Sequence, residues 1–223
     1  MEKSPNSIKP NKVLILFTRI IDPQTTDLYN KYYSQLPKSV TARIDAYLRM
    51  QDKILSILGI QLLLCGLQKL GFDKEHIEAL KHNKNNRPYL EKLPQLDFNI
   101  SHSESLTVCA LSMDVHIGID IEKEKPVDIH HFKDQFSSAQ WEEMETSQEP
   151  EKLFFDYWAQ KEAVFKGSNS DSTTPFSEID IHPNRAIIHN NTWYLTRLDI
   201  DPSYCAWLAS DELADPIIEE VHF

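Results

Sequence analysis

Three carboxylates and one amine stand out by type and spacing. The run Gly118-Ile119-Asp120-Ile121-Glu122 alternates apolar and acidic residues, and alternate side chains of a strand share a face. Ile117, Ile119 and Ile121 then turn toward a core, while Asp120 and Glu122 point together to the other side, with Gly118 clearing space beside them. Two like carboxylates about 6–7 Å apart, by the rise of a strand, repel each other unless a cation lies between them. Mg²⁺ takes oxygen ligands and is commonly held by one or two carboxylates together with substrate phosphates. Taken alone, the pattern also describes an ordinary half-exposed strand.

A second segment, Phe154 to Lys166, has helical spacing. At about 100° per residue, Phe154, Phe155, Trp158 and Phe165 form an apolar stripe, with Glu162 within it and Lys161 at its edge. A carboxylate on a packed aromatic face is costly unless it is paired or bound to a metal. Glu162 and Lys166 are also neighbours at i,i+4, so a surface salt bridge is the plainer alternative.

Two further segments carry groups suited to phosphate. In Phe98-Asn99-Ile100-Ser101-His102-Ser103 a strand stops at hydroxyls and an imidazole, all potential donors. In Asn86-Arg87-Pro88-Tyr89-Leu90 a proline stiffens the loop that presents a guanidinium. Arg43, Arg49, Lys53 and Ser56 add cations and a hydroxyl near the start of a long helix. Ser101 and His102 are adjacent and do not read as a nucleophile and its base.

Composition narrows the chemistry. The chain has only five glycines, none spaced as in a phosphate-cradling loop, so side chains must hold any phosphate. A formal charge of −11 argues against nucleic acid as a partner. Cys65, Cys109 and Cys205 are scattered, with no C-x-x-C pair. The apolar run Val13 to Phe17 is too short for a signal sequence, and no stretch is expected to reach membrane-span length. These features lead to the expectation of a soluble, cytoplasmic chain with no membrane partner.

Around these residues the spacing predicts a first strand over Lys12–Thr18, one helix over Thr41–Leu70 ended by Gly71, a loop with one short strand over Lys81–Pro94, and strands over Leu96–Ile100, Leu106–Met113 and from Val115. Helices over Ser137–Glu145 and Glu151–Lys166 precede strands at Ser177–Ile181, Arg185–Ile188, Thr192–Leu198, Tyr204–Ser210 and Ile217–Val221. Helices segregated from runs of strands indicate an α+β fold. The boundary falls near Asp114, giving lobes of 1–113 and 114–223.

In combination and in this order, the R-P-Y loop, the N-I-S-H-S turn, the G-I-D-I-E strand and the W-x-x-K-E-x-x-x-K helix resemble the 4′-phosphopantetheinyl transferases of the surfactin-synthetase-activating type. The strong match runs from about Arg87 to Lys166; the helix around Arg43, Asp52, Ser56 and Gly59 fits more weakly. The resemblance implies a monomer with a pseudo-twofold pair of similar lobes, each a small antiparallel sheet packed with a long helix, and a ligand in the cleft between them. It implies transfer of phosphopantetheine from coenzyme A to a serine of an apo acyl or peptidyl carrier protein, as a holo-carrier-protein synthase. Asp120, Glu122 and Glu162 would bind Mg²⁺, Glu162 and Lys166 would be catalytic, and Arg43, Ser56, Arg87, Ser101, His102 and Lys166 would hold coenzyme A. Two departures stand out: Asn86 replaces the usual glycine, and Gly167-Ser168-Asn169-Ser170-Asp171 follows the helix. Another Mg²⁺-dependent phosphoryl enzyme, such as a nuclease, and a non-catalytic binder of coenzyme A or carriers are the alternatives.

Overall fold

The computed structural model describes residues 11–20 and 25–223. The first lobe opens with β1 (Asn11–Arg19) and continues through helices α1 (Thr25–Tyr33), α2 (Lys38–Asp45) and α3 (Met50–Lys69). A short hairpin of β2 (Leu80–His82) and β3 (Pro88–Leu90) leads into β4 (Asp97–Ser103) and β5 (Leu106–Ser112). The second lobe comprises β6 (Ile117–Lys123), α4 (Ser138–Thr146), α5 (Pro150–Gly167), and strands β7 (Asp180–His182), β8 (Arg185–Ile188), β9 (Asn191–Arg197) and β10 (Tyr204–Ser210). The last strand is β11 (Ala214–Glu220). The α+β class expected from the pattern is the class observed.

α3 is apolar on nearly every side because it is packed on nearly every side, against α1, α2, β1, β4 and β5. By length and composition it could cross a membrane, contrary to the expectation from sequence, yet 67% of its apolar window is buried in the first lobe. The single helix expected over Thr41–Leu70 is broken at Ala46–Arg49, where Arg49 is extended and caps α3. Ile44, Leu55, Leu58 and Leu62 are buried, whereas Tyr47 is exposed and Leu48 fully so. The break contains neither proline nor glycine. What separates α2 from α3 is packing: α2 turns to bury Val40 and Ile44 in the same cluster as Ile54 and Leu58 of α3.

The strands form two main sheets, ordered β11-β1-β5-β4 and β6-β10-β9-β8-β7. The second sheet is antiparallel throughout. The first is mixed rather than antiparallel as expected, because β11 runs parallel to β1, with Val13 opposite Pro216. The chain thus returns its last strand to the sheet of the first lobe instead of keeping it with residues 114–223. β11 has a partner there because Ile218 packs on a core drawn from both lobes. That core unites Val13, Ile15 and Phe17 of β1, Val108 of β5, Ile117, Ile119 and Ile121 of β6, and Leu208 of β10. Burying apolar faces of both sheets in one cluster makes the lobes a single cooperative unit.

Candidate active site

β6 lies at the edge of its sheet, paired with β10 on one side. Its other edge meets β4 of the first sheet, and side chains replace the missing backbone ladder. Asp97 Oδ2 accepts the N–H of Ile117 (2.8 Å), Asn99 Oδ1 that of Ile119 (2.9 Å), and Ser103 Oγ that of Lys123 (3.0 Å). Buried backbone donors are costly when unpaired, so this polar row seals the seam. Its period of two is visible in the sequence: Asp97, Asn99, Ser101 and Ser103 alternate with Phe98 and Ile100. Asp97 is missed from sequence, and Asn99 and Ser103 enter only as parts of the N-I-S-H-S turn, although that alternation is the signal for their role here.

The same register aligns hydroxyls with the carboxylates of β6. Ser101 Oγ donates to Asp120 Oδ1 at 2.7 Å, and Ser103 Oγ donates to Glu122 Oε2 at 2.9 Å. Ile117, Ile119 and Ile121 are fully buried on the opposite face, as the alternation predicts. Gly118 does clear space: a Cβ there would lie 2.0 Å from the carbonyl oxygen of Ala163 and 2.4 Å from the nitrogen of Gly167. Its absence lets α5 cross β6 backbone to backbone and brings Glu162 and Lys166 over the two strand carboxylates.

Lys166 is the centre of the cluster. Its Nζ is 2.6 Å from Asp120 Oδ1, 3.2 Å from Ser101 Oγ and 3.9 Å from Glu162 Oε2. Burial pulls its ammonium pKa down, but Asp120, Glu162 and Glu122 outweigh burial and leave it above the ordinary lysine value. Burial, reinforced by the charge of Asp120 and opposed in part by Ser103, pushes the Glu122 carboxyl up to about 7. Burial likewise raises Glu162, against the pull of Lys166. One cation therefore leaves three clustered acids undercompensated.

The acid side of the cluster has an oxygen to spare. Asp120 is 2% exposed, and its Oδ2 is buried with no hydrogen-bond partner. An orphaned carboxylate oxygen beside two acids of raised pKa is the donor chemistry a hard divalent cation takes. Among the described residues no group of three or more Asp, Glu, His or Cys side chains is already arranged as a metal cage, and Lys166 sits among these acids.

The other candidates fall into two places. His102 is half-buried near Asp52 and Lys166, and burial followed by the Lys166 charge lowers its pKa, keeping it neutral at neutral pH. Arg43 is exposed at the end of α2 and donates to Asn86 Oδ1 at 3.1 Å, beside the loop that carries Arg87. Ser56 is half-buried on α3, one turn before Gly59, whose missing Cβ leaves room for Ile100 of β4. Arg87 is turned inward: it donates to both oxygens of Asp97 (2.8 and 2.9 Å), to the carbonyl of Ile117 (2.7 Å) and to the carbonyl of Lys166.

On α5 the sequence pattern misplaces one charge. Lys161, expected at the edge of the stripe, is fully buried, and its ammonium donates to the carbonyls of Phe176 (2.8 Å) and Ile179 (2.9 Å). Glu162, expected within the stripe, keeps a quarter of its side chain exposed in the cleft. The buried face runs through Phe155, Ala159, Ala163 and Val164, turned from the aromatic line by the close crossing at Gly118.

Residues 116–216 match the model of the 4′-phosphopantetheinyl transferase superfamily, a span that holds β6 and α5 with Asp120, Glu122, Glu162 and Lys166. Over these residues the chain is similar to that superfamily. It is 28% identical to 4′-phosphopantetheinyl transferase Sfp of Bacillus subtilis (strain 168) over 53% of this chain and 56% of that one. It is 26% identical to 4′-phosphopantetheinyl transferase gsp of Aneurinibacillus migulanus over 77% of this chain and 72% of that one. It is 35% identical to 4′-phosphopantetheinyl transferase HetI of Nostoc sp. over 38% and 37%. The chain thus spans about half the length of the Bacillus relative. The matched span holds the carboxylates and Lys166, and Ser101 and Ser103 are added from the first lobe, outside it.

Proposed function

We propose that this chain transfers the 4′-phosphopantetheine group of coenzyme A to a serine of an apo acyl or peptidyl carrier protein. The observation that carries this reading is the cluster itself: three acids around Lys166, with Asp120 Oδ2 buried and unpartnered. In a structural salt-bridge network a buried carboxylate oxygen is usually paired.

Asp120, Glu122 and Glu162 would hold Mg²⁺, which when bound would neutralise diphosphate charge. Lys166, an amine held protonated by its neighbours, binds the phosphate oxygens and offsets the charge that grows on them. Neutral His102 donates to the nucleotide end beside Ser101, and Arg43 and Ser56 line the approach from the first lobe. The carrier serine oxygen attacks the phosphorus bearing the pantetheine oxygen; the bond from that phosphorus to the bridging oxygen breaks, and adenosine 3′,5′-bisphosphate leaves. Glu162, its carboxyl pKa raised by burial, takes the serine proton. Positioning and charge neutralisation carry most of such a transfer.

The chain acts as a monomer in the cytoplasm, in keeping with one core shared by both lobes and three unpaired cysteines. Incubating a panel of apo carriers with coenzyme A and Mg²⁺ and weighing the products tests the function: a carrier that gains one phosphopantetheine supports it, and a panel without any gain rejects it.

A further inference from the structure

Arg87 and Asn169 lie outside the carboxylate cluster, yet both touch the end of α5 that carries Lys166. The Arg87 side chain is only 12% exposed, and its guanidinium spans three elements. It holds Asp97 of β4, the Ile117 carbonyl that begins β6, and the Lys166 carbonyl in the last turn of α5. A planar fork serves all three from two of its nitrogens, whereas the donors of an ammonium all radiate from one nitrogen.

The loops on either side are tied as well. Asn83 Oδ1 accepts the backbone N–H groups of Asn85 (2.9 Å) and Arg87 (3.0 Å), which shapes the loop presenting the guanidinium. Across the cleft Asn83 Nδ2 donates to Asn169 Oδ1 (2.9 Å), and Asn85 Nδ2 donates to the Asn169 carbonyl (2.6 Å). Asn169 adopts a left-handed backbone (φ 53°), a conformation asparagine tolerates better than most residues. It turns the chain just past α5 so that its carbonyl and amide both face the first lobe.

We propose that Arg87 is a positioning residue for Lys166, with Asn169 as its partner latch, rather than a ligand for coenzyme A. The clamp fixes the last turn of α5 against β4 and β6, and so holds the Lys166 ammonium against Asp120. This rests on the proposed transfer, because Lys166 matters here through that reaction.

The test separates the two roles of Arg87 by kinetics with coenzyme A varied. Arg87→Lys keeps the charge but not the fork, and Asn169→Gly keeps the left-handed turn but not the amide bond. The clamp predicts that Arg87→Lys and Asp97→Asn lower kcat by about tenfold or more, with KM for coenzyme A nearly unchanged, and that Asn169→Gly does so more weakly. Retained kcat in Arg87→Lys, with a raised KM in Arg87→Met, would assign Arg87 to the ligand and overturn the proposal. Hydrogen exchange of amides 167–170 is an independent arm. Faster exchange in Asn169→Gly and Arg87→Lys at unchanged global stability supports the clamp, and unaltered protection overturns it. If the wild type transfers nothing, the proposed function fails while the exchange arm still decides the clamp.

Discussion

Lys166 Nζ and Asp120 Oδ1 are 2.6 Å apart, and that contact joins the last turn of α5 to the middle of β6 across the position of Gly118. The pair is nearly dry on the acid side, with the Asp120 side chain 3% exposed. It also uses only one carboxylate oxygen, leaving Oδ2 without a partner. The cluster is therefore more than an ion pair: it is short of positive charge and has an acceptor to spare.

The close crossing at Gly118 makes a steric prediction. In Gly118→Ala the new methyl would meet Ala163 and Gly167 backbone atoms, which cannot swing away as a side-chain end can. The expected cost is about 1–3 kcal/mol or more, the scale of overpacking. Thermal unfolding should show a lower midpoint, with transfer reduced because Lys166 and Glu162 are pushed off the strand. A variant with wild-type midpoint and turnover would contradict the crossing.

Asn99 makes a second prediction. Its side chain is 5% exposed and its Oδ1 serves the N–H of Ile119, so Asn99→Ala leaves a buried donor unpaired. The penalty should be about 1–3 kcal/mol. Denaturant titration measures it, and a loss well under 0.5 kcal/mol, roughly the level of a neutral surface change, would show that the seam is held otherwise.

A third prediction concerns acid. Asp201 accepts from Ser203 and from Arg19, bonds that lower its carboxyl from 3.8 to about 2, with Ser203 the larger cause. A carboxyl with a depressed folded pKa contributes stability that is full above its unfolded value and lost as pH falls through its folded value. The stability gap between wild type and Asp201→Asn should be constant above pH 3.8 and shrink toward pH 2. Melts across that window check it; a gap that grows on acidification would reverse the sign.

Much of this site is legible in the sequence. The period of two in Ile117–Glu122 places Asp120 and Glu122 on one face, and spacing on α5 brings Glu162 and Lys166 to one side. What pattern cannot carry is which elements meet. Nothing local in Asp97 or Asn99 says that their acceptors serve the free edge of a strand 20 residues on, as Asn99 serves Ile119. The parallel return of β11 beside β1 is equally non-local. The inward turn of Arg87 depends on Asp97, Ile117 and Lys166, three elements that are near only after folding. The exchange of roles between Lys161 and Glu162 has the same origin, since the helix rotates to suit the crossing at Gly118.

If Asp120, Glu122, Glu162 and Lys166 form a metal-dependent transfer centre, Glu162→Gln should disable it. Gln keeps the size of the side chain and removes only the charge that sits 3.9 Å from Lys166. Turnover should be measured by mass spectrometry of an apo carrier with coenzyme A, with and without Mg²⁺, beside the thermal midpoint of the variant. The expected result is transfer by the wild type only with Mg²⁺, near loss of transfer in Glu162→Gln, and a midpoint without metal equal to or slightly above wild type, because a repelled charge is gone. A surface ion pair would contribute only about 0–1 kcal/mol and leave turnover intact; near wild-type turnover in Glu162→Gln, with or without Mg²⁺, would contradict the assignment.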